Sequence, residues 1–307
     1  MSNPKTIIFL SLLKKTEENK KRLEKISGPG FKKKIKRLFS FPKLYFYSLL
    51  FKLGVLGRRE RDIKLVFGKF IRIPVLDWES FRIFVFGFPS GNDEEFRLVK
   101  YLIKNLQGND VFFDIGANYG FYTYLAQEIC KKVCSFEPNT KVFYFLLKNG
   151  KRENTFIENL AISSFTGRSK LYTSKENSGI STLNKDTVNM KEWESWNYSE
   201  SHNINTITLD SYIKSKNITP SVLKIDVEGG EKSVLEGGEI FLRSNSPIVI
   251  LEVWSGNMGK NISMKAVGLL RNMGYKSHYI DENGDIHEIE GDLSNIKEYG
   301  GNFVFKK

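Results

Sequence analysis

The sequence predicts an α/β fold, a doubly wound, Rossmann-like sheet preceded by a basic helical extension. Three observations predict it. From residue 93 onward, apolar strand-like runs alternate with amphipathic helical stretches, as in parallel sheets with crossover helices. One run, Val111-Phe112-Phe113-Asp114-Ile115, feeds a glycine turn, Gly116-Ala117-Asn118-Tyr119-Gly120, and then a helical stretch. Twenty-one residues after Gly116 a second acid, Glu137, closes the next run. Strand, glycine turn, helix and acid in that order describe a nucleoside-binding crossover.

The elements follow in order. Residues 1–60 read as two or three helical pieces, broken at Ser27-Gly28-Pro29-Gly30 and at Pro42. Residues 63–73 and 81–88 are rich in Ile, Val and Phe and read as strands, joined through Pro74 to Ser80. Asp93 to Leu106 has helical spacing, with Asn92 or Asp93 as N-cap. After Glu137, residues 140–149 read as a helix and Phe156 to Ile162 as a third strand. Gly167 to Tyr172 and Asn205 to Leu209 alternate in polarity as antiparallel strands do. Between them the polar stretch 174–203 holds Trp193, Trp196 and Tyr198, and its length suits a lid or binding loop. Asp210 to Lys216 reads as a short helix and Val222 to Glu228 as a buried strand, followed by Gly229-Gly230 and a helix from Glu231. Pro247 to Val253 is a fifth parallel strand, 263–273 a helix, and Tyr275 to Ile280 and Phe303 to Lys306 two last strands. The chain thus divides into an extension, 1–60, and a domain, 61–307, with its core from 107.

Charge is spread unevenly over the 307 residues. Residues 1–72 carry 20 Lys and Arg against 5 Asp and Glu, and the remainder 27 against 30. That asymmetry argues against a nucleic-acid cleft around the glycine turn and for an anionic partner of the N-terminal arm. Leu44 to Leu56 is a run of 13 residues containing Lys52, too short to cross a bilayer as a helix. Lys32 to Arg37 precedes it and Arg58-Arg59 follows. Such flanks suit a helix lying in an anionic membrane interface; a cap helix showing its lysines to water is the alternative. Ile7 to Leu13 has no small-residue cleavage site after it, so a cleaved signal peptide is not expected. Cys130 and Cys134 suggest neither a disulfide framework nor a zinc site, and a reduced, cytoplasmic location is expected. The oligomeric state is left open.

The glycine turn discriminates between nucleosides. A dinucleotide site wants G-x-G-x-x-G, which admits a pyrophosphate onto a helix N-terminus; here Asn118 stands at the second glycine. A cofactor without phosphate fits better. S-adenosylmethionine is a net cation, and Asp114 and Glu137 supply acidic surroundings. Further acids fall at strand ends where such sheets bind ligands: Asp226 and Glu228 in Lys224-Ile225-Asp226-Val227-Glu228, and Glu252 in Leu251-Glu252-Val253. Alternation would put Lys224, Asp226 and Glu228 on one face. A salt bridge from Lys224 would account for one pair, not for acids at four strand ends.

Four ordered pieces carry a family resemblance: Phe113 to Gly120, Phe136-Glu137-Pro138-Asn139, Ile207-Thr208-Leu209-Asp210 and Leu223 to Gly229. Over roughly residues 90–306 the chain resembles the FkbM-like family of S-adenosylmethionine-dependent methyltransferases. The resemblance implies a seven-stranded sheet with the last strand antiparallel. It also implies O-methylation of a hydroxyl, on a sugar or a secondary metabolite. By position, Asp114, Gly116, Asn118 and Gly120 would hold the methionine end, Glu137 the ribose hydroxyls, and Asn159 and Ala161 would lie near adenine. Many relatives carry a histidine shortly after the acid matching Glu252, whereas Trp254 and Ser255 follow here.

An alcohol is a poor nucleophile, so a general base should help by about 10²–10⁴-fold. Asp226 is the first candidate and Glu228 the second. Glu252 would orient the acceptor, or join Asp226 in holding a divalent cation. The expected acceptor is a hydroxyl of a sugar, glycan or glycolipid precursor. Two other readings stay open: a nucleotide-linked oxidoreductase, and a non-catalytic, membrane-attached binding module that retains the fold.

Overall fold

The computed structural model describes residues 4–25, 42–89, 93–184, 198, 200–254, 257–291, 293 and 301–307. The basic run 32–37, Trp193 and Trp196 lie outside them. The chain forms two compact units, Met1–Phe96 and Arg97–Lys307.

The first unit holds α1 (Pro4–Lys25), α2 (Pro42–Lys52), the hairpin β1 (Glu60–Lys64) and β2 (Phe70–Pro74), and α3 (Trp78–Phe86). Leu56, Val75 and Phe81 form a small core, against which Leu44, Tyr47 and Phe51 of α2 pack. Two expectations are corrected. The run 63–73 is not one strand, because the chain turns between Leu65 and Lys69 and pairs back on itself. Residues 81–88 are not a strand, because local capping outweighs their β propensity. The Asp77 carboxylate accepts the Ser80 N–H at 2.8 Å, and the Ser80 hydroxyl accepts the Asp77 N–H at 3.0 Å. The helix then closes at Gly87, whose N–H donates to the Ile83 carbonyl. Hairpin and helix thereby fall in one unit with the first two helices.

Helix α4 (Asp93–Asn105) runs across that division in sequence. The second unit then holds β3 (Val111–Ile115), α5 (Phe121–Gln127), β4 (Lys132–Phe136), α6 (Thr140–Gly150), β5 (Thr155–Glu158), β6 (Ala161–Ile162), β7 (Gly167–Thr173) and β8 (Glu200–Ile207). It continues with α7 (Leu209–Lys216), β9 (Val222–Ile225), α8 (Glu231–Glu236), α9 (Glu239–Asn245), β10 (Ile248–Val253), α10 (Asn257–Asn272), β11 (Lys276–Ile280), β12 (Ile286–Glu288) and β13 (Gly301–Lys306).

Among the described residues the main sheet has eight strands in the order β12-β11-β13-β10-β9-β3-β4-β5. The last five are parallel neighbours. The final strand of the chain, β13, lies antiparallel between β10 and β11. The sheet is therefore mixed and Rossmann-like, with one strand more than the expected seven. The extra edge strand arises at Asp281, whose carboxylate accepts the N–H groups of Asn283 and Asp285 and turns β12 back onto β11.

Apart from the register neighbours Asp114, Ser135 and Lys224, the central strands are apolar on both faces, as parallel strands between helices must be. Phe113, Phe136 and Tyr212 pack ring to ring, with centroids 4.8–5.8 Å apart, and Leu223, Ile225, Val249 and Leu251 extend that core. Two strand readings change here. The segment 156–162 splits, so that β5 joins the main sheet while β6 joins β7 and β8 in a separate three-stranded sheet. The strand read through Glu228 ends at Ile225.

Candidate active site

A cavity of about 360 Å³ opens at the carboxyl ends of the parallel strands. Its floor is the loop after β3. Gly116 has φ +87°, and a Cβ there would overlap the Asp226 carbonyl oxygen and stand 2.9 Å from the carbonyl carbon. Only glycine lets the β3 and β9 loops approach so closely. Asn118 also adopts the left-handed region, φ 48°, and its side chain accepts the Tyr119 N–H at 2.7 Å, the local bond that lets Asn occupy it.

Every backbone donor of this loop is spent inside the protein. The N–H groups of Gly116 and Ala117 both donate to the Phe136 carbonyl at 3.0 Å, and that of Gly120 donates to the Ala117 carbonyl. The Asn118 N–H donates to Glu137 Oε2 at 2.9 Å. No N–H of residues 116–120 is left to hold a phosphate, and phosphate cradles depend on such donors.

Glu137 is the hinge of the arrangement. Its other oxygen, Oε1, accepts the Asn139 N–H at 2.7 Å. Each carboxylate oxygen keeps one further lone pair, a donor set suited to vicinal hydroxyls. Burial pushes the carboxyl up to about 7 against the pull of those two N–H groups.

The β9 loop forms the opposite wall. Lys224, 2% exposed, points from the last turn of the strand to Asp226 Oδ2 at 2.8 Å and lies 4.5 Å over the Tyr122 ring. Glu228 has φ 53°, so strand alternation does not place it; the loop does. Two bonds fix that loop from above: the Thr182 hydroxyl donates to the Glu228 carbonyl at 2.7 Å, and the Asn184 amide to the Gly229 carbonyl at 3.1 Å. From below, buried Glu231 accepts the N–H groups of Val227 and Gly229. Burial pushes its carboxyl up to about 7 as well.

The expected residues divide into three groups. Gly116, Asn118, Glu137, Ala161, Asp226 and Glu228 line the cavity. Asp114, Gly120 and Asn159 are not among the lining residues. Asp114 is fully buried beside its register partner Lys224, and accepts the Thr123 hydroxyl at 2.6 Å. Burial pushes its carboxyl up, opposed by Lys224 and that hydroxyl. Gly120 is closed in by Leu146 and Tyr124. The Asn159 amide donates to the carbonyls of Glu137 and Pro138 at 2.9 and 3.2 Å, and so braces the loop that carries Glu137. Glu252 stands apart from the cavity lining. Its Oε2 accepts the indole N–H of Trp254 at 3.0 Å, but one carboxylate oxygen from each of Asp226, Glu228 and Glu252 lies within 4.8 Å of the other two. These three could hold a divalent cation.

Sequence reasoning missed Glu231, Thr182 and Asn184. Glu231 carried a signal, an acid in the first turn after Gly229-Gly230. Thr182 and Asn184 carried none, because their partners lie 45 and 46 residues away. His202 lies exposed on β8 beside Glu200. Of the three loop aromatics only Tyr198 is described, and its hydroxyl is buried with no hydrogen-bond partner among the described residues.

A glycine turn, an acid at the next strand end and a cavity over the parallel sheet define a nucleoside-binding α/β domain. The family model described as "Methyltransferase FkbM domain" matches residues 114–277, and the chain belongs to that family. A curated relative, the hexuronic acid methyltransferase AglP of Haloferax volcanii, is 29% identical over 169 residues. That stretch is 54% of this chain and 65% of the relative, so the chain spans just under two thirds of its length. Among solved structures, methyltransferase FkbM from Methylobacillus flagellatus aligns with a TM-score of 0.41 and 11% identity, covering 75% of this chain and 55% of its own. M. jannaschii TYW2 in complex with AdoMet aligns with a TM-score of 0.41 and 14% identity, covering 82% and 88%.

Proposed function

We propose that this chain is an S-adenosylmethionine-dependent O-methyltransferase whose acceptor is a hydroxyl of a sugar, glycan or glycolipid precursor. The observation that carries the reading is the spent set of donors at 116–120. The loop offers a ligand carboxylates rather than N–H groups, which suits a cationic, phosphate-free nucleoside and not a dinucleotide. Family membership supports the same reaction class, and the relative named for hexuronic acid supports a carbohydrate acceptor.

In this reading Glu137 holds the ribose hydroxyls, and Gly116, Asn118 and Ala161 line the nucleoside. When bound, the cofactor supplies a methyl carbon open to in-line displacement, where alignment alone accounts for much of the acceleration. Asp226 accepts the acceptor's hydroxyl proton, and Lys224 fixes the direction of its carboxylate. Glu228 and Glu252 orient the acceptor through their remaining lone pairs, or share a divalent cation with Asp226.

Calorimetric titration with S-adenosylhomocysteine tests the cofactor assignment; absence of binding at millimolar ligand would end it. Transfer of labelled methyl groups to a glycan or glycolipid fraction tests the reaction. Binding without transfer to any fraction would favour a non-catalytic module. Quenching of reduced-nicotinamide fluorescence by the protein would favour an oxidoreductase.

A further inference from the structure

We infer that α2 docks the first unit onto an anionic lipid bilayer, through the face carrying Phe46 and Leu49 and continued by Leu53, which follows the helix and donates its N–H to the Leu49 carbonyl. These three are 58%, 55% and 62% exposed, and their spacing of three and four residues puts them on one side of the helical segment. The opposite side is already occupied, because Leu44, Tyr47 and Phe51 pack against the small core of Leu56, Val75 and Phe81. The Tyr47 ring meets Phe84 at 4.9 Å and the Phe51 ring stacks on Phe81 at 4.7 Å.

Between Lys43 and Lys52 the helix is therefore apolar apart from Ser48, while only the side of Leu44, Tyr47 and Phe51 is packed against the small core. A soluble amphipathic helix turns polar residues to water; this segment turns a phenylalanine and two leucines outward. Contiguous exposed apolar surface of that kind marks a contact site.

Charge selects the occupant. Exposed Lys43 and Lys52 stand at the two ends of the helix, within a segment carrying 20 basic against 5 acidic residues. A second copy of this chain would bring the same positive field against itself. An anionic bilayer offers both partners at once, acyl chains for the apolar residues and headgroups for the lysines. Among the described residues no helix is long and apolar enough to cross a membrane, so the mode is interfacial.

The test uses the full chain and vesicles of phosphatidylcholine, alone and mixed with phosphatidylglycerol. Flotation with the mixed vesicles and not with phosphatidylcholine alone is expected. The variant Phe46→Ser/Leu49→Ser/Leu53→Ser should lose about tenfold or more in bound fraction, as removal of the apolar anchor requires. Lys43→Glu/Lys52→Glu should lose binding at low salt. Ile240→Ser, which removes a 74% exposed residue of the second unit, should float like the wild type. Melting curves establish that each variant is folded, and the replaced side chains are exposed enough for that to be expected. Equal flotation of wild type and the triple variant would overturn the inference, as would failure of the wild type to float. A dimer that the triple variant converts to monomer, without flotation, would overturn it in favour of self-association.

Discussion

The substitution Gly116→Ala puts the geometry of the cavity floor to a quantitative test. A Cβ at this position would overlap the Asp226 carbonyl oxygen. The backbone there has φ +87°, a conformation that costs an L residue roughly 1–2 kcal/mol. The overlap can be relieved only by parting the β3 and β9 loops. That parting sacrifices the bond from the Asp226 N–H to the Ile115 carbonyl, 3.0 Å long and worth about 1 kcal/mol. Together these come to about 3 kcal/mol, a fall in melting temperature of roughly 6–12 °C for a unit of this size. To the extent that the loop moves instead of the fold weakening, the same energy appears as weaker S-adenosylhomocysteine binding, up to about 100-fold. Gly268→Ala is the control, because a Cβ there meets nothing within 4 Å inside α10. It should stabilise the protein by about 0.5–1 kcal/mol. Scanning calorimetry and titration calorimetry on the two variants decide the matter. Unchanged melting and unchanged affinity in Gly116→Ala would refute the close approach of the two loops.

Asp226→Asn should leave S-adenosylhomocysteine affinity within a few-fold while slowing methyl transfer by about 10²–10⁴-fold; full activity would exclude Asp226 as the base. Thr182→Val removes the hydroxyl bonded to the Glu228 carbonyl and should cost about 1 kcal/mol of stability, read as a lower denaturation midpoint. Glu137 holds its proton to about 7 when folded, against an ordinary 4.5. Its contribution therefore favours the folded state most below pH 4.5 and is lost as pH rises through about 7. Relative to Glu137→Gln, the wild type should lose on the order of 3 kcal/mol between those limits, and parallel pH profiles for the two proteins would contradict the burial of this carboxyl.

Legibility in the sequence followed the range of the interactions. The parallel strands from Val111 to Val253 and the helices between them were readable, because periodicity and glycine punctuation are local signals. Residues 81–88 misled because Phe, Ile and Val there resemble a strand, while the helix is decided by the capping pair Asp77 and Ser80 just upstream. The strand through Glu228 was read too long for a related reason. Val227 continues the apolar alternation, but the chain leaves the sheet after Ile225 so that Gly116 can sit against Asp226. The clasp of Thr182 and Asn184 over the β9 loop was not readable at all, since no local pattern encodes a bond between residues 45 or more apart.

The three expected residues that do not line the cavity show what the acids at the strand ends do before any ligand arrives. The family resemblance implies that Asp114, just before the glycine turn, helps hold the methionine end of the cofactor. The fold gives it a cation of its own, because register sets it beside Lys224 on the neighbouring strand. Lys224 in turn reaches Asp226, so a buried lysine stands between a sealed carboxylate and one that lines the cavity. A buried charge without compensation is costly, and the ion pair with Asp226 at 2.8 Å, with Asp114 alongside in register, lets Lys224 lie at 2% exposure. With Lys224 fixed, the orientation of Asp226 follows from its ion pair rather than from its loop alone. Glu137 is prepared in the same manner by Asn118 and Asn139, with Asn159 bracing its carbonyl. The residues outside the cavity lining thus hold rigid two that line it, Glu137 and Asp226, which is the preorganisation that the proposed displacement reaction would need.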